Sequence, residues 1–221
     1  MSTRDIAAPA PLGAAKGPNR DEPPAHAELA ALLDDLVNRP HERKTIERCI
    51  VEKFTQDKAV MVVDMSGFSR TAATSGIVTF LLMIHQMKLL ALPCIDLHRG
   101  VLIKAEADNL YCLFESVEQA VEASLEISRR LAAANAVLPR DLNLYVSTGV
   151  GWGPILNIGN EDMWGNEVNI ACRLGEDIAE LGEILLSQAA HEQTHDLARL
   201  DFEENTRTIS QGELQYYRLA R

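Results

Sequence analysis

Apolar residues along the chain keep two rhythms. From Ala27 onward, Leu29, Leu32, Leu33, Leu36 and Val37 recur at helical spacing until Pro40 interrupts, and Ile46, Cys49, Ile50 and Phe54 form a second helical pattern. The rhythm then changes. Ala59 to Val63 is a short continuous apolar run, as in a buried central strand, and Ser66 and Gly67 break it just after Asp64. A mostly apolar helix is predicted from about Thr74 to Leu92, ended by Pro93. Val101–Ile103 and Leu110–Phe114 read as the strands of a tight hairpin. Ser116 with Gln119 is a capping-box arrangement opening a helix to about Ala136, with Val117, Ala120, Val121, Leu125, Ile127 and Leu131 mostly on one side. Strands follow at Leu142–Gly149 and around Ile155–Ile158, then a helix from about Asn166 to Ala179 and a strand at Ile184–Ser187. Weaker strands are predicted near Leu197–Phe202 and Gln215–Leu219. The order strand, helix, hairpin, helix, strand is the ferredoxin-like βαββαβ arrangement of α+β proteins, here with additional C-terminal strands and an N-terminal helical extension.

Residues 1–25 are rich in Ala, Pro and Gly, and their few charges cancel. Such a stretch buries too little apolar surface to offset ordering entropy, so it is expected to be a disordered tail. Residues 26–57 form the helical extension and 58–221 the α+β domain. The two short N-terminal helices are expected to pack in cis on that domain, with their counterparts in a second subunit as the other option.

At 221 residues and 47% hydrophobic content the chain can bury a sizeable core. Its net charge of −11 argues against a nucleic-acid partner, which would want a basic face. The longest apolar stretch, Ile77–Leu92, is interrupted by His85, Gln86 and Lys88 and is expected to fall short of a membrane span; with no signal-peptide pattern at the N-terminus, a cytoplasmic protein is expected. Cys49, Cys94, Cys112 and Cys172 have no metal-ligand spacing and read as reduced, mostly core residues, and the six histidines are scattered.

Two carboxylates hold the chemical interest. Asp64 sits at the carboxyl end of the predicted central strand, facing a loop, and Asp108 sits at or near the hairpin turn. Alone, each also has a plain reading as a turn residue bonding nearby amides. Context adds to this. The run VVDMSGFSR, then Lys104-x-x-x-Asp108, then DMWGNEVNIACRL from Asp162 to Leu174 resemble, in this order, the motifs of the class III nucleotidyl cyclase catalytic domain. The resemblance covers about three quarters of the chain, from around residue 58 to the end.

That resemblance implies formation of a 3′,5′-cyclic nucleotide from a nucleoside triphosphate, with release of pyrophosphate. Asp64 and Asp108 match the ligands of two divalent cations, Mg²⁺ or Mn²⁺. Ser66, Gly67 and Phe68 match the loop that presents amides to the β- and γ-phosphates. Asn169 and Arg173 share a helix face and match the pair that orients the ribose and stabilises charge on the transferring phosphate. Lys104 and Asp162 match the residues with which adenylyl cyclases read adenine, so ATP is the expected substrate. The family's site forms between subunits, and a head-to-tail homodimer follows as the expected assembly. Three departures stand out. Ala107 replaces the usual Gly before the second metal Asp, and the loop between Gly153 and Asp162 is short. Ile209, Ser210 and Gln211 occupy the region where a phosphate-binding Lys is common, with Arg207 nearby as a substitute. The alternatives are a weakly active or inactive nucleotide-sensing module of the same fold, or a cyclase for GTP or a pyrimidine nucleotide.

Overall fold

The computed structural model describes residues 24–65, 76–197, 199–209 and 212–220. Nearly all of the 1–25 tail lies outside them. Helices α1 (Ala25–Asn38) and α2 (Arg43–Phe54) are joined through a single 3₁₀ turn at Pro40–Glu42. They pack in cis: Leu29, Leu32 and Leu36 of α1 and Ile46, Ile50 and Phe54 of α2 close around Leu156 and Ile158.

Strand β1 (Thr55–Met65) follows, then α3 (Ile77–Leu97), β2 (Val101–Glu106), β3 (Asn109–Phe114) and α4 (Val117–Asn135). The α4 cap forms as its sequence predicts, Ser116 Oγ accepting from the Gln119 N–H at 3.3 Å and Gln119 Oε1 from the Glu115 N–H at 3.2 Å. Next come β4 (Val146–Ile158), β5 (Asp162–Trp164) and α5 (Asn166–Cys172), which continues as a wider π-helical turn over Arg173–Ile178. Strand β6 (Ile184–Ser187), the short α6 (Gln188–His191), β7 (Phe202–Ile209) and β8 (Gly212–Leu219) complete the described elements. The sheet order is β2-β3-β1-β4-β6-β8-β7, with β5 paired on β4. Its β2-β3-β1-β4 part, with β1 antiparallel to both neighbours, is the predicted ferredoxin-like core.

The alternation of side chains along β1 divides the core in two. Ala59, Met61, Val63 and Met65 face α3 and α4, whereas Val60 and Val62 join Ile103, Tyr111, Leu113, Val168 and Ala171 on the α5 side. By the same parity Asp64 faces the α5 side.

Three elements depart from the sequence expectation. Pro93 does not end α3. It removes one helical hydrogen bond, but Cys94 and Ile95 are buried in the core and keep the last turn helical, with the Cys94 thiol donating to the Leu90 carbonyl at 3.2 Å. At 21 residues, with mean hydropathy 1.7 over its most apolar window, α3 is the one helix among the described residues long and apolar enough to cross a membrane by length and composition. The expectation that this stretch falls short is thus corrected. One face of α3 (Met83, Ile84, Met87, Ala91) packs on the sheet, while Ile77, Val78, Leu81 and Leu82 are exposed. Second, the two strands expected between 142 and 158 are one, since β4 starts at Val146 and runs unbroken through Gly149, Gly151, Gly153 and Pro154, and the short β5 was not foreseen. Third, Leu197 is in a 3₁₀ turn, and β7 begins at Phe202, where the expected strand was to end.

The glycines of β4 do not break the strand because α5 lies directly over them. A Cβ on Gly149 would stand 2.1 Å from the Ala171 carbonyl oxygen and 2.6 Å from the Gly175 nitrogen, and one on Gly151 would stand 2.7 Å from the Glu167 carbonyl oxygen. These contacts are backbone and cannot yield without moving the helix. Gly149→Ala is therefore expected to destabilise the protein by about 1–3 kcal/mol, the usual range for overpacking. Urea denaturation checks this, and an unchanged midpoint would mean that α5 sits farther from the sheet.

Candidate active site

Asp64 is the next-to-last residue of β1 and is partly buried. The pairing of Val63 with Leu110 brings the β2–β3 turn, Ala107–Asp108, to the same end of the sheet. Burial pushes the Asp64 carboxyl up to about 7, helped by the negative charges of Asp108 and Glu176 and opposed by the Met65 N–H. Glu176 is also raised, by burial first and then by Asp177, Asp108 and Glu106, while the Tyr111 hydroxyl pulls the other way. Like charge thus collects around Asp64. Carboxylate oxygens in such a cluster suit a hard divalent cation, which would relieve their repulsion. Among the described residues no group of three His, Cys, Asp or Glu side chains is placed to hold a metal ion.

The turn carrying Asp108 keeps a glycine-like shape without glycine. Ala107 adopts φ 49°, in the left-handed region, at a cost of about 1 kcal/mol. Lys88 of α3 donates to the Ala107 carbonyl at 3.0 Å and ties the turn to the helix.

Lys104 and Asp162 meet although they lie far apart in sequence. Lys104 Nζ is 3.3 Å from Asp162 Oδ1, which also accepts from the Met163 N–H at 2.9 Å. Two local features aim them. A bulge in β2 between Leu102 and Lys104 lets Lys104 share the α5 face with Ile103, and the pairing of β5 with the end of β4 fixes Asp162 opposite Ile158. Burial pulls the Lys104 ammonium down, but Asp162 and Glu106 outweigh it, and the net shift is upward.

Asn169 and Arg173 share a face, as predicted, and line a cleft of about 350 Å³ with Asn166, Glu176, Ile209 and Leu214. Arg207 is the cross-strand partner of Leu214 and so shares its side of the terminal hairpin. Helix α5 is held by Glu167, whose Oε2 accepts from the Trp152 N–H at 3.1 Å and the Ser187 hydroxyl at 2.7 Å. Ser66, Gly67 and Phe68, expected to cradle phosphates, lie outside the described residues.

Sequence reasoning missed Glu176 and Tyr111. The Tyr111 hydroxyl donates to Glu176 Oε1 at 3.1 Å, a contact across 65 positions for which no local pattern exists. The nearest signal was Gly175, which allows the π turn, closed by the Ala179 N–H on the Leu174 carbonyl, to press against Gly149 and Val62.

The fold is that of the class III nucleotidyl cyclase catalytic domain. An adenylate/guanylate cyclase/hydrolase from Silicibacter pomeroyi superposes with a TM-score of 0.65 at 23% identity, covering 76% of this chain and 98% of that one. The guanylate cyclase domain of RhGC from Catenaria anguillulae, in complex with GTP, gives 0.62 at 13% identity, covering 75% and 96%. In sequence, the chain is 31% identical over 144 residues to a Rhizobium meliloti (strain 1021) protein named "Putative adenylate cyclase 3", over 65% of this chain and 24% of that protein. The chain thus spans about a quarter of that relative's length. No family model matches the chain.

The charge around Asp64 has a consequence for stability. A carboxyl whose folded pKa is raised, here from 3.8 to about 7, holds its proton more tightly when folded. Its contribution is most favourable below the unfolded value and is lost as pH rises through about 7. In chelator-treated protein, Asp64→Asn is therefore expected to be stabilising by about 1–2 kcal/mol at pH 8 and by much less at pH 4, allowing for partial solvent screening. Urea denaturation of both proteins across that window measures the difference, and a gap that does not widen with pH would contradict the assignment.

Proposed function

We propose that the chain is an adenylate cyclase, converting ATP to 3′,5′-cyclic AMP and pyrophosphate at a site shared by two copies of the chain. The observation that carries this reading is the Lys104–Asp162 pair, held at 3.3 Å on the sheet face that Asp64 also occupies. A cationic donor beside a carboxylate acceptor complements the ring nitrogen and exocyclic amine of adenine. Guanine reverses the pattern and leaves both side chains unpaired, which discriminates strongly.

The reaction is an intramolecular displacement: the ribose 3′-oxygen forms a bond to the α-phosphorus, the bond to the β-phosphate bridging oxygen breaks, and pyrophosphate leaves. When bound, Mg²⁺ or Mn²⁺ acidifies the 3′-hydroxyl and neutralises the triphosphate. Asp64 and Asp108 would hold those ions. Asn169 orients the ribose, and the Arg173 guanidinium offers its fork to the charge developing on the α-phosphoryl group. Arg207 meets the terminal phosphates from the β7–β8 hairpin. Asn169 and Arg173 line a cleft with Glu176, Ile209 and Leu214, and the site is read as composite, as in the family that the sequence resembles: one copy supplies the carboxylates, and its partner supplies the base, ribose and phosphate contacts. Two equivalent sites follow from twofold symmetry.

Purified protein incubated separately with ATP, GTP, CTP and UTP, with Mn²⁺ or Mg²⁺, is expected to yield cyclic AMP alone. Cyclic GMP would keep the mechanism and overturn the base assignment, whereas no cyclic product would favour a nucleotide-sensing module. Arg173→Ala is expected to remain folded and lose ~10²- to 10³-fold in turnover. Mixing Asp64→Ala with Arg173→Ala chains tests the shared site. Random exchange makes half of the dimers mixed, each with one intact site, so about a quarter of wild-type activity should return. A verified mixture that stays inactive would rule out the composite arrangement.

A further inference from the structure

Tyr111 stands between the two halves of this site. On β3 it lies directly opposite Lys104 of β2, and its ring carries the Lys104 ammonium 5.2 Å from the centroid. At the far end of the ring, the hydroxyl donates to Glu176 Oε1 at 3.1 Å and accepts from Asn109 Nδ2 at 3.4 Å. The side chain is only 9% exposed, so the ring is not free to swing. Burial, with the nearby charge of Glu176 among the further causes and the Asn109 hydrogen bond opposing, pushes the phenol up to about 12; like any tyrosine it is a donor at neutral pH. The ring packs among the apolar residues of the α5 side and also meets a cation, and the hydroxyl meets a carboxylate.

We infer that Tyr111 is a positioning residue for both halves of the reaction: its ring seats the base-reading Lys104, and its hydroxyl sets the Glu176 carboxylate beside Asp64 and Asp108. This rests on the roles given to those residues under the proposed function. In the composite dimer, the base met by Lys104 and the cation held by Asp108 belong to different nucleotides. One side chain therefore serves both sites.

The ring and the hydroxyl can be removed separately, as Tyr111→Phe and Tyr111→Leu in the full chain. Thermal melting confirms that each variant folds. Mn²⁺ binding is read by electron paramagnetic resonance, binding of α,β-methylene ATP by calorimetry, and kcat and KM for ATP and GTP by turnover. Tyr111→Phe should bind Mn²⁺ about ten-fold more weakly, as for loss of a residue supporting metal ligands, with KM for ATP and the preference for ATP over GTP unchanged. Tyr111→Leu should show the same Mn²⁺ loss, together with a rise of about five-fold in KM for ATP and in the analogue's dissociation constant, a narrower ATP preference and little change in kcat. Unchanged Mn²⁺ binding in Tyr111→Phe, or a nucleotide affinity that falls equally in both variants, would overturn the inference. A wild-type chain that binds Mn²⁺ and the analogue without turnover would overturn the proposed function alone, because the binding shifts still decide the role of Tyr111. A wild-type chain that binds neither would overturn both.

Discussion

The distance between α5 and β4 governs the rest of the site. Glycines at 149 and 151 let the helix backbone rest on the strand backbone, closer than any side chain would allow. Everything functional on the far side of the sheet is measured from that contact. Asn169 projects from this helix and Arg173 from the first position of the π turn that continues it, and the same turn brings Glu176 toward the end of β1. Glu167 fixes the helix from the side, its carboxylate held by β4 through Trp152 and by the end of β6 through Ser187. A helix one side chain farther out would shift Asn169, Arg173 and Glu176 away from the sheet together, and with them the cleft they line.

Local stability yields to chemistry in two places. Asp64 keeps a carboxylate on a partly buried face with two others nearby, and Ala107 holds a conformation that glycine would adopt without strain. Both lie at the end of the sheet where the cations are proposed to bind, and both are supported from outside by the packing of β1 and by Lys88 from α3. Departures from local preference that gather at one end of a fold, with the remainder well packed, are what a site under functional constraint produces.

Much of this was legible in the sequence because it is written in short-range patterns. The β2–β3 hairpin, the Ser116 cap and the strand ending at Asp64 follow from apolar runs and turn residues, and Lys104 and Asp162 were paired through motif resemblance. The rest depends on contacts that a local pattern does not carry. Pro93 and the glycines of β4 read as breaks, yet tertiary packing overrides them: Cys94 and Ile95 hold the end of α3 in the core, and α5 fills the space above Gly149 and Gly151. Tyr111 lies within the predicted strand Leu110–Phe114, and no local pattern singles it out. Its importance lies in what meets its two ends, from β2 and from the π turn.

The junction of α2 and β1 gives the domain a stiff handle. Phe54 closes the helix and Thr55 opens the strand, with no residue between them. Phe54 is buried against Ile158, and β1 is in register with β4 along its whole length, from Thr55 opposite Leu156 to Met65 opposite Val146. A strand so paired cannot creep along its neighbour, since a one-residue slip would turn every side chain to the wrong face. A rotation of the N-terminal helices would therefore have to displace Phe54 from its apolar seat or carry β1 with it.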